Sequence, residues 1–202
     1  MQERKANISR QSGETNVRVQ LDLDGRGSAS VATGVGMLDH LLTALGRHAR
    51  FDLQVQASGD LHIDEHHTVE DVGITLGLAL AAALRGGGGI ARMAHALVPM
   101  DEALAMAAVD LSGRGVCVCE GSFAAPRLGD LGSDLLWHFV DSLARNAGLN
   151  VHIHVLRGEN DHHKAEAVFK ALGRALDAAT RPDPRLEGDV ASTKGQVEVQ
   201  TG

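Results

Sequence analysis

Residues 64–77 read DEHHTVEDVGITLG, and residues 160–173 read NDHHKAEAVFKALG, at a constant offset of 96. Each stretch sets two adjacent histidines, and a glutamate three residues after the second, into an apolar helical pattern. Val72 and Val168, Leu76 and Leu172, Gly77 and Gly173, and Leu80 and Leu176 keep the same offset. A repeat of this kind decides how every other motif is read. Working outward, ETNVRVQLDLDGRG (14–27) matches EALAMAAVDLSGRG (102–115) at an offset of 88. MLDHLLTALGRHARFDLQVQA (37–57) faces LLWHFVDSLARNAGLNVHIHV (135–155) with His40 over His138, at an offset of 98. The order of segments is the same in both halves, so the chain is internally duplicated.

Local patterning follows the same cycle twice. TNVRVQLDLD and ALAMAAVDLSG alternate as strands, each leading through a Gly-rich turn to a second short strand, SASVAT or VCVCEGSF. GMLDHLLTALGRHA and SDLLWHFVDSLARNA carry apolar residues at helical spacing, with Gly148 closing the second. FDLQVQA and NVHIHVL return as strands, and the two His-His segments continue as helices. The expected fold class is therefore α+β: two similar β-β-α-β-α half-domains whose sheets pack against helices, with an additional N-terminal strand in RKANISRQ. Residues 1–89 form the first half-repeat and 90–181 the second, joined by RGGGGI. Residues 182–202 form a tail, opened by the two prolines of TRPDPRL, within one compact domain.

At 202 residues and 44% hydrophobic content the chain can bury a core of ordinary size. Its formal net charge of -7 and 2% aromatic content speak against a nucleic-acid partner, which would want basic grooves and stacking rings. No signal-peptide pattern opens the chain and no segment reaches about 18 uninterrupted apolar residues, so a cytoplasmic protein without a membrane partner is expected. Strand alternation places the two cysteines, Cys117 and Cys119, on one face as reduced sheet residues.

Against this plain background, 11 histidines stand out. Residues four apart on a helix share a face, so His66 can chelate with Glu70 and His162 with Glu166. Their neighbours His67 and His163 point about 100° away and suit a different ion. His40 and His138 bring the inventory to six histidines and two glutamates, which divide into two sets of three imidazoles and one carboxylate. Nitrogen and oxygen donors without thiolates argue against a finger-type zinc and leave the ion open among Mn, Fe, Co, Ni and Zn. Arg92, Arg114, Lys170 and the terminal STKG, with Ser192, Thr193 and Lys194, offer the forks, point charges and hydroxyls that a phosphate prefers. Glu14 and Glu102 precede the first matched strand of each half, and one of them, if not a ligand, can accept a proton.

Taken together, GVGMLDHLLTALGRHARFDL, DEHHTVEDVGITLG, VPMDEALAMAAVDLSGR, the long segment from Asp134 to Leu176 and STKG resemble the imidazoleglycerol-phosphate dehydratases in their monofunctional form. The resemblance covers nearly the whole chain. It implies a hydro-lyase of histidine biosynthesis that converts D-erythro-imidazoleglycerol phosphate to imidazole-acetol phosphate, using two metal ions that bind the substrate as an imidazolate. It implies two Mn2+ per active site, other divalent transition metals being alternatives. One ion would be held by His66, Glu70, His138 and His163, and the other by His40, His67, His162 and Glu166. It further implies a homo-oligomer of 24 subunits with shared active sites, the substrate phosphate on Arg92, Arg114, Lys170, Ser192 and Lys194, and Glu14 beside the reacting carbons. The competing reading is a non-catalytic, His-rich protein that binds or buffers metal.

Overall fold

The alternation in TNVRVQLD buries Val17, Val19 and Leu21 on one side and leaves Asn16 and Arg18 in solvent, which makes the segment a half-buried strand. The structure, a computed structural model, describes residues 3–84, 89–186, 189 and 192. In the first half it contains β1 (Lys5–Gln11), β2 (Thr15–Asp22), β3 (Ala29–Ala32), α1 (Gly36–Ala49), β4 (Asp52–Gly59) and α2 (His66–Leu84). The second half follows with β5 (Met93–Met100), β6 (Ala103–Asp110), β7 (Val116–Glu120), a short hairpin of β8 (Arg127–Leu128) and β9 (Leu131–Gly132), α3 (Leu135–Ala147), β10 (Asn150–Arg157) and α4 (Asp161–Thr180). The glycine-rich joint, apart from Gly89 and Ile90, and the tail, apart from Asp189 and Ser192, lie outside the described residues.

The two main sheets repeat one topology. Their orders are β1-β2-β4-β3 and β5-β6-β10-β7, with the first three strands antiparallel and the last parallel to its neighbour. Each half thus carries one strand ahead of the five-element unit. The sequence reading anticipated β1 but not its counterpart β5. MAHALVPM is rich in small residues and carries Pro99, so its alternation is weak, yet it pairs as an edge strand along the whole of β6.

The four helices lie between the sheets. α1 and α2 cover the first sheet, α3 and α4 the second, and the layers meet crosswise, α1 against α4 and α2 against α3. The core is aliphatic, with Leu38, Leu41, Leu42, Leu136, Leu143 and Leu172 almost fully buried and only Phe139 and Phe169 stacked at its middle. The matched glycines of the repeat sit at the helix crossings. A Cβ on Gly77 would lie 2.7 Å from the Leu143 carbonyl oxygen, and one on Gly173 would lie 2.6 Å from that of Leu45. Bare backbone at these points sets how close the helices of opposite halves come. α2 has the length and composition of a membrane span, but most of it is buried inside the protein as a core helix.

The outer faces of the sheets differ. Asn16, Arg18, Gln54, Gln56 and Ser58 make the first one polar. Met93, Leu97, Val116, Val118 and Leu156, each more than a third exposed, give the second an apolar share, interrupted by His95, Glu120 and His152.

Candidate metal centre

Helix starts position the histidines. The Asn160 side chain caps α4 by accepting hydrogen bonds from the backbone N–H groups of His162 and His163, and Asp64 accepts from that of His66. Both His-His pairs are thereby held in a first helical turn. There, the residue four positions after the first histidine shares its face: Glu70 for His66, Glu166 for His162.

The crosswise helix packing completes two groups. From α1, His40 reaches α4 with Nε2 3.3 Å from Glu166 Oε2, and His162 Nε2 is 3.5 Å from the same oxygen. From α3, His138 Nε2 reaches to 3.5 Å from Glu70 Oε1 on α2, next to His66. In each group the three donor atoms lie within 4.8 Å of one another. The imidazole pairs match closely, with His40–His162 centroids 5.1 Å apart and His66–His138 centroids 4.7 Å apart, both at 32°. Each group draws on both halves of the chain.

The donor set fits a divalent ion. Both groups offer two imidazoles and one carboxylate, with no thiolate. His138 Nε2 is buried without a hydrogen-bond partner, although a carboxylate and a second imidazole face it. Burial alone would raise the pKa of Glu166, but Lys170, 2.6 Å away, and His40 hold it below the ordinary value, so its oxygens are ready to ligate.

His67 and His163 turn away from these groups. Their rings stand at 87° and 84° to those of His66 and His162. Each is held at Nδ1 by a carboxylate: His67 by Asp60 Oδ2 at 3.0 Å, and His163 by Glu102 Oε2 at 2.7 Å. These hydrogen bonds raise the pKa of both rings. The His163 ring, with the backbone N–H groups of Asn160, Glu102 and Glu159, holds Glu102 down to about 2. In the neutral ring, a proton on Nδ1 directed to the carboxylate would leave the Nε2 lone pair for an ion, the arrangement that commonly supports a metal-binding imidazole. Asp60 had no signal in the sequence beyond lying seven residues before His67, because its role arises only where β4 ends beside the first turn of α2.

Glu14 occupies the turn between β1 and β2, its carboxylate more than half exposed and 3.8 Å from His67 Nδ1. That turn is anchored to α2 by buried Asp71, which accepts from the Thr15 hydroxyl and pairs with Arg10. Among the described residues, Lys170 stands apart from the two arginine candidates. Lys170 lies beside Glu166 and Met100. Arg92 instead forks onto Asp110, with Nε 2.8 Å from Oδ1, and Arg114 lies 3.8 Å from the same carboxylate. Arg92 directly precedes β5 and Arg114 lies in the turn after β6, whose end Asp110 pairs with Met93; the eight residues of β5, about 26 Å of strand, separate this end of the sheet from Met100 beside Lys170. Ser192 is partly buried, and Thr193 and Lys194 lie outside the described residues.

Comparison with known proteins gives this arrangement a family. The sequence model for imidazoleglycerol-phosphate dehydratase matches residues 33–176. The chain belongs to the imidazoleglycerol-phosphate dehydratase family. Imidazoleglycerol-phosphate dehydratase of Chloroflexus aggregans is 59% identical over 192 residues, covering 95% of this chain and 94% of the relative. The Roseiflexus enzyme of the same name is 57% identical, covering 95% and 96%. Among solved structures, the imidazoleglycerol-phosphate dehydratase of Pyrococcus furiosus superposes with a TM-score of 0.81 at 36% identity, over 94% of this chain and 100% of that one. That of Staphylococcus aureus gives 0.80 at 32% identity, over 88% and 99%. Membership makes the chain a dehydratase, an enzyme of the hydro-lyase class, rather than a metal buffer. The duplicated α+β fold is that of the family's solved structures.

Proposed function

We propose that this dehydratase removes water from D-erythro-imidazoleglycerol phosphate to give imidazole-acetol phosphate in histidine biosynthesis, in the cytoplasm, at a two-metal centre. The pair of matched His/His/Glu groups in a member of this family carries the reading. A nearly two-fold donor set suits an azole ring, which presents one nitrogen to each side.

One manganese ion would be held by His66, Glu70, His138 and His163, the other by His40, His67, His162 and Glu166. Held by these residues, the ions would supply Lewis acidity to the imidazole ring of the substrate. Asp60 and Glu102 orient His67 and His163 through their Nδ1 atoms. Glu14 takes the proton from the side-chain carbon next to the departing hydroxyl, because its carboxylate is exposed and stands clear of the hydrogen bonds that occupy Asp60 and Glu102. Arg92, Arg114, Lys170, Ser192, Thr193 and Lys194 bind the phosphate and turn that binding into alignment of the carbon chain.

Such a site is assembled between copies of the chain, as in a 24-subunit homo-oligomer with shared active sites. Three observations support this. His67 and His163 turn away from the groups that their neighbours join. Arg92 and Arg114 stand at the far end of β5. The second sheet exposes Met93, Leu97, Val116, Val118 and Leu156 on its outer face, apolar surface that water alone would cover at a cost.

The test is metal analysis of the purified protein combined with its turnover of imidazoleglycerol phosphate before and after thorough chelation. The expected result is loss of turnover with loss of metal, and recovery on adding Mn2+. Turnover that survives metal removal would overturn the two-metal reading.

A further inference from the structure

Outside the histidine centre, one pair of nucleophilic side chains takes no part in dehydration. Cys117 and Cys119 occupy alternate positions of β7, so both point to the same side, against the core and the helix α3 that covers this strand. Both are free and half-buried, with their Sγ atoms 3.5 Å apart. β7 is an edge strand, bonded to β10 on one side only, so the pair lies near the rim of the sheet. The chain has no other cysteine.

The separation of the sulfurs decides what the pair suits. Residues two apart on a strand have Cα atoms about 6.4–6.8 Å apart, at the upper end of the span a disulfide bridges. A direct bond of about 2.05 Å would require the sulfurs to close by roughly 1.5 Å against that extended backbone. Two thiolates on one ion, each at a bond length of about 2.3 Å, stand about 3.5–3.8 Å apart at near-tetrahedral angles. The observed spacing is the bite of a chelate. Among the described residues the pair belongs to no larger group of ligating side chains. An ion that demands four protein donors, such as a structural zinc, is therefore a poor match, whereas one satisfied by two thiolates is a good one. The contact with Cys119 lowers the pKa of Cys117, and that of Cys119 is raised in return.

We propose that Cys117 and Cys119 form a bidentate dithiolate site for thiophilic ions, and specifically for trivalent organoarsenicals. The step is a condensation. R–As=O and two Cys S–H groups give R–As(S–Cys)2 and water, two As–S bonds forming while the oxide leaves with both thiol protons. Arsenic stays trivalent and the sulfurs stay at the thiol level, so no oxidant or reductant is involved. Soft sulfur donors select this class, while the imidazole and carboxylate centre does not.

Phenylarsine oxide added to the metal-loaded, full-length protein tests the site, with free thiols counted by a chromogenic disulfide reagent and adducts by intact mass. One equivalent should protect both thiols of each chain, resist excess monothiol and be released by a 1,2-dithiol. Cys117→Ser and Cys119→Ser should each weaken retention by about 100-fold or more, the usual worth of a second tethered contact. Loss of only one thiol per equivalent, or ready removal by a monothiol, would overturn the proposal. So would a Cys119→Ser protein that binds as tightly as the parent. The wild-type stoichiometry decides the matter even if a variant fails to fold, and no readout depends on the dehydration chemistry.

Discussion

In the second half of the chain Glu102 sits 2.7 Å from His163 Nδ1, whereas in the first half Glu14, its match at an offset of 88, stands back at 3.8 Å from His67 Nδ1. Asp60 has taken the place beside His67, at 3.0 Å. The histidines have kept their two-fold relation and the carboxylates have not. An imidazole ring is met equally well from both sides, which favours a symmetric ligand set. On the proposed reading a proton leaves from one carbon on one side only, a task for a single free glutamate. The duplication carries two equivalent carboxylates, and Asp60, on the loop after β4, leaves Glu14 without the short hydrogen bond that Glu102 makes.

The largest effect expected from breaking this asymmetry is at the glutamates. Glu14→Gln should lower kcat by about 10²–10⁴-fold with metal loading intact, because only the proton acceptor is removed. Glu102→Gln should instead weaken metal binding and leave kcat near normal at saturating metal. Steady-state assays across a metal titration separate the two, and identical behaviour of both variants would remove the distinction. A smaller effect is expected from Asp60→Asn, which leaves the His67 ring without its ionised partner. Metal affinity should fall by about 10–100-fold at one of two classes of site, read by calorimetric titration of the metal-free protein. Unchanged binding would mean that His67 needs no support from Asp60.

The smallest effect concerns the helices beneath the histidines. α1 has no cap from its own N-terminal neighbour Val35 and borrows one from the other half, where Asp130 accepts from the backbone N–H groups of Gly36 and Met37 at 2.6 and 2.9 Å. Asp130→Ala should cost about 1 kcal/mol, seen as a lowered denaturation midpoint. Burial pushes the Asp130 pKa up, and the N–H groups of Met37, Gly36 and Asp130 itself, with the charge of Arg127, more than offset it, leaving the folded value below the unfolded ~3.9. Its stabilisation is therefore complete above the unfolded value and is lost as pH falls through the folded one. The gap between parent and variant should narrow in that acid window, and a gap independent of pH would assign the loss to packing.

What could be read from the sequence was whatever the duplication repeated. The offsets of 88, 98 and 96 placed the strands and helices, and residues four apart picked out the glutamate that each histidine meets. What could not be read was whatever one half does alone or does for the other. Asp60 and Asp130 look like ordinary loop acids, since the contacts that give them roles arise from chain reversals and from the packing of one half on the other. β5 escaped notice because alanines and a proline blunt its alternation, and it is held as a strand by β6 rather than by its own propensity. Arg92 and Arg114 suited a phosphate by residue type, but only the topology puts the length of β5 between them and the histidines.

Gly77 and Gly173 bear on what the histidine groups cost to assemble. With backbone against backbone at both crossings, the gap between opposing helices is a hard stop rather than a compressible layer of side chains. The donors on either side therefore arrive at a fixed separation before anything binds. The entropy of bringing them together has been spent during folding, and little is left to lose when a ligand enters. A single methyl group at either crossing would act as a spacer in that gauge, altering the reach of the six histidines of the centre without touching one of them.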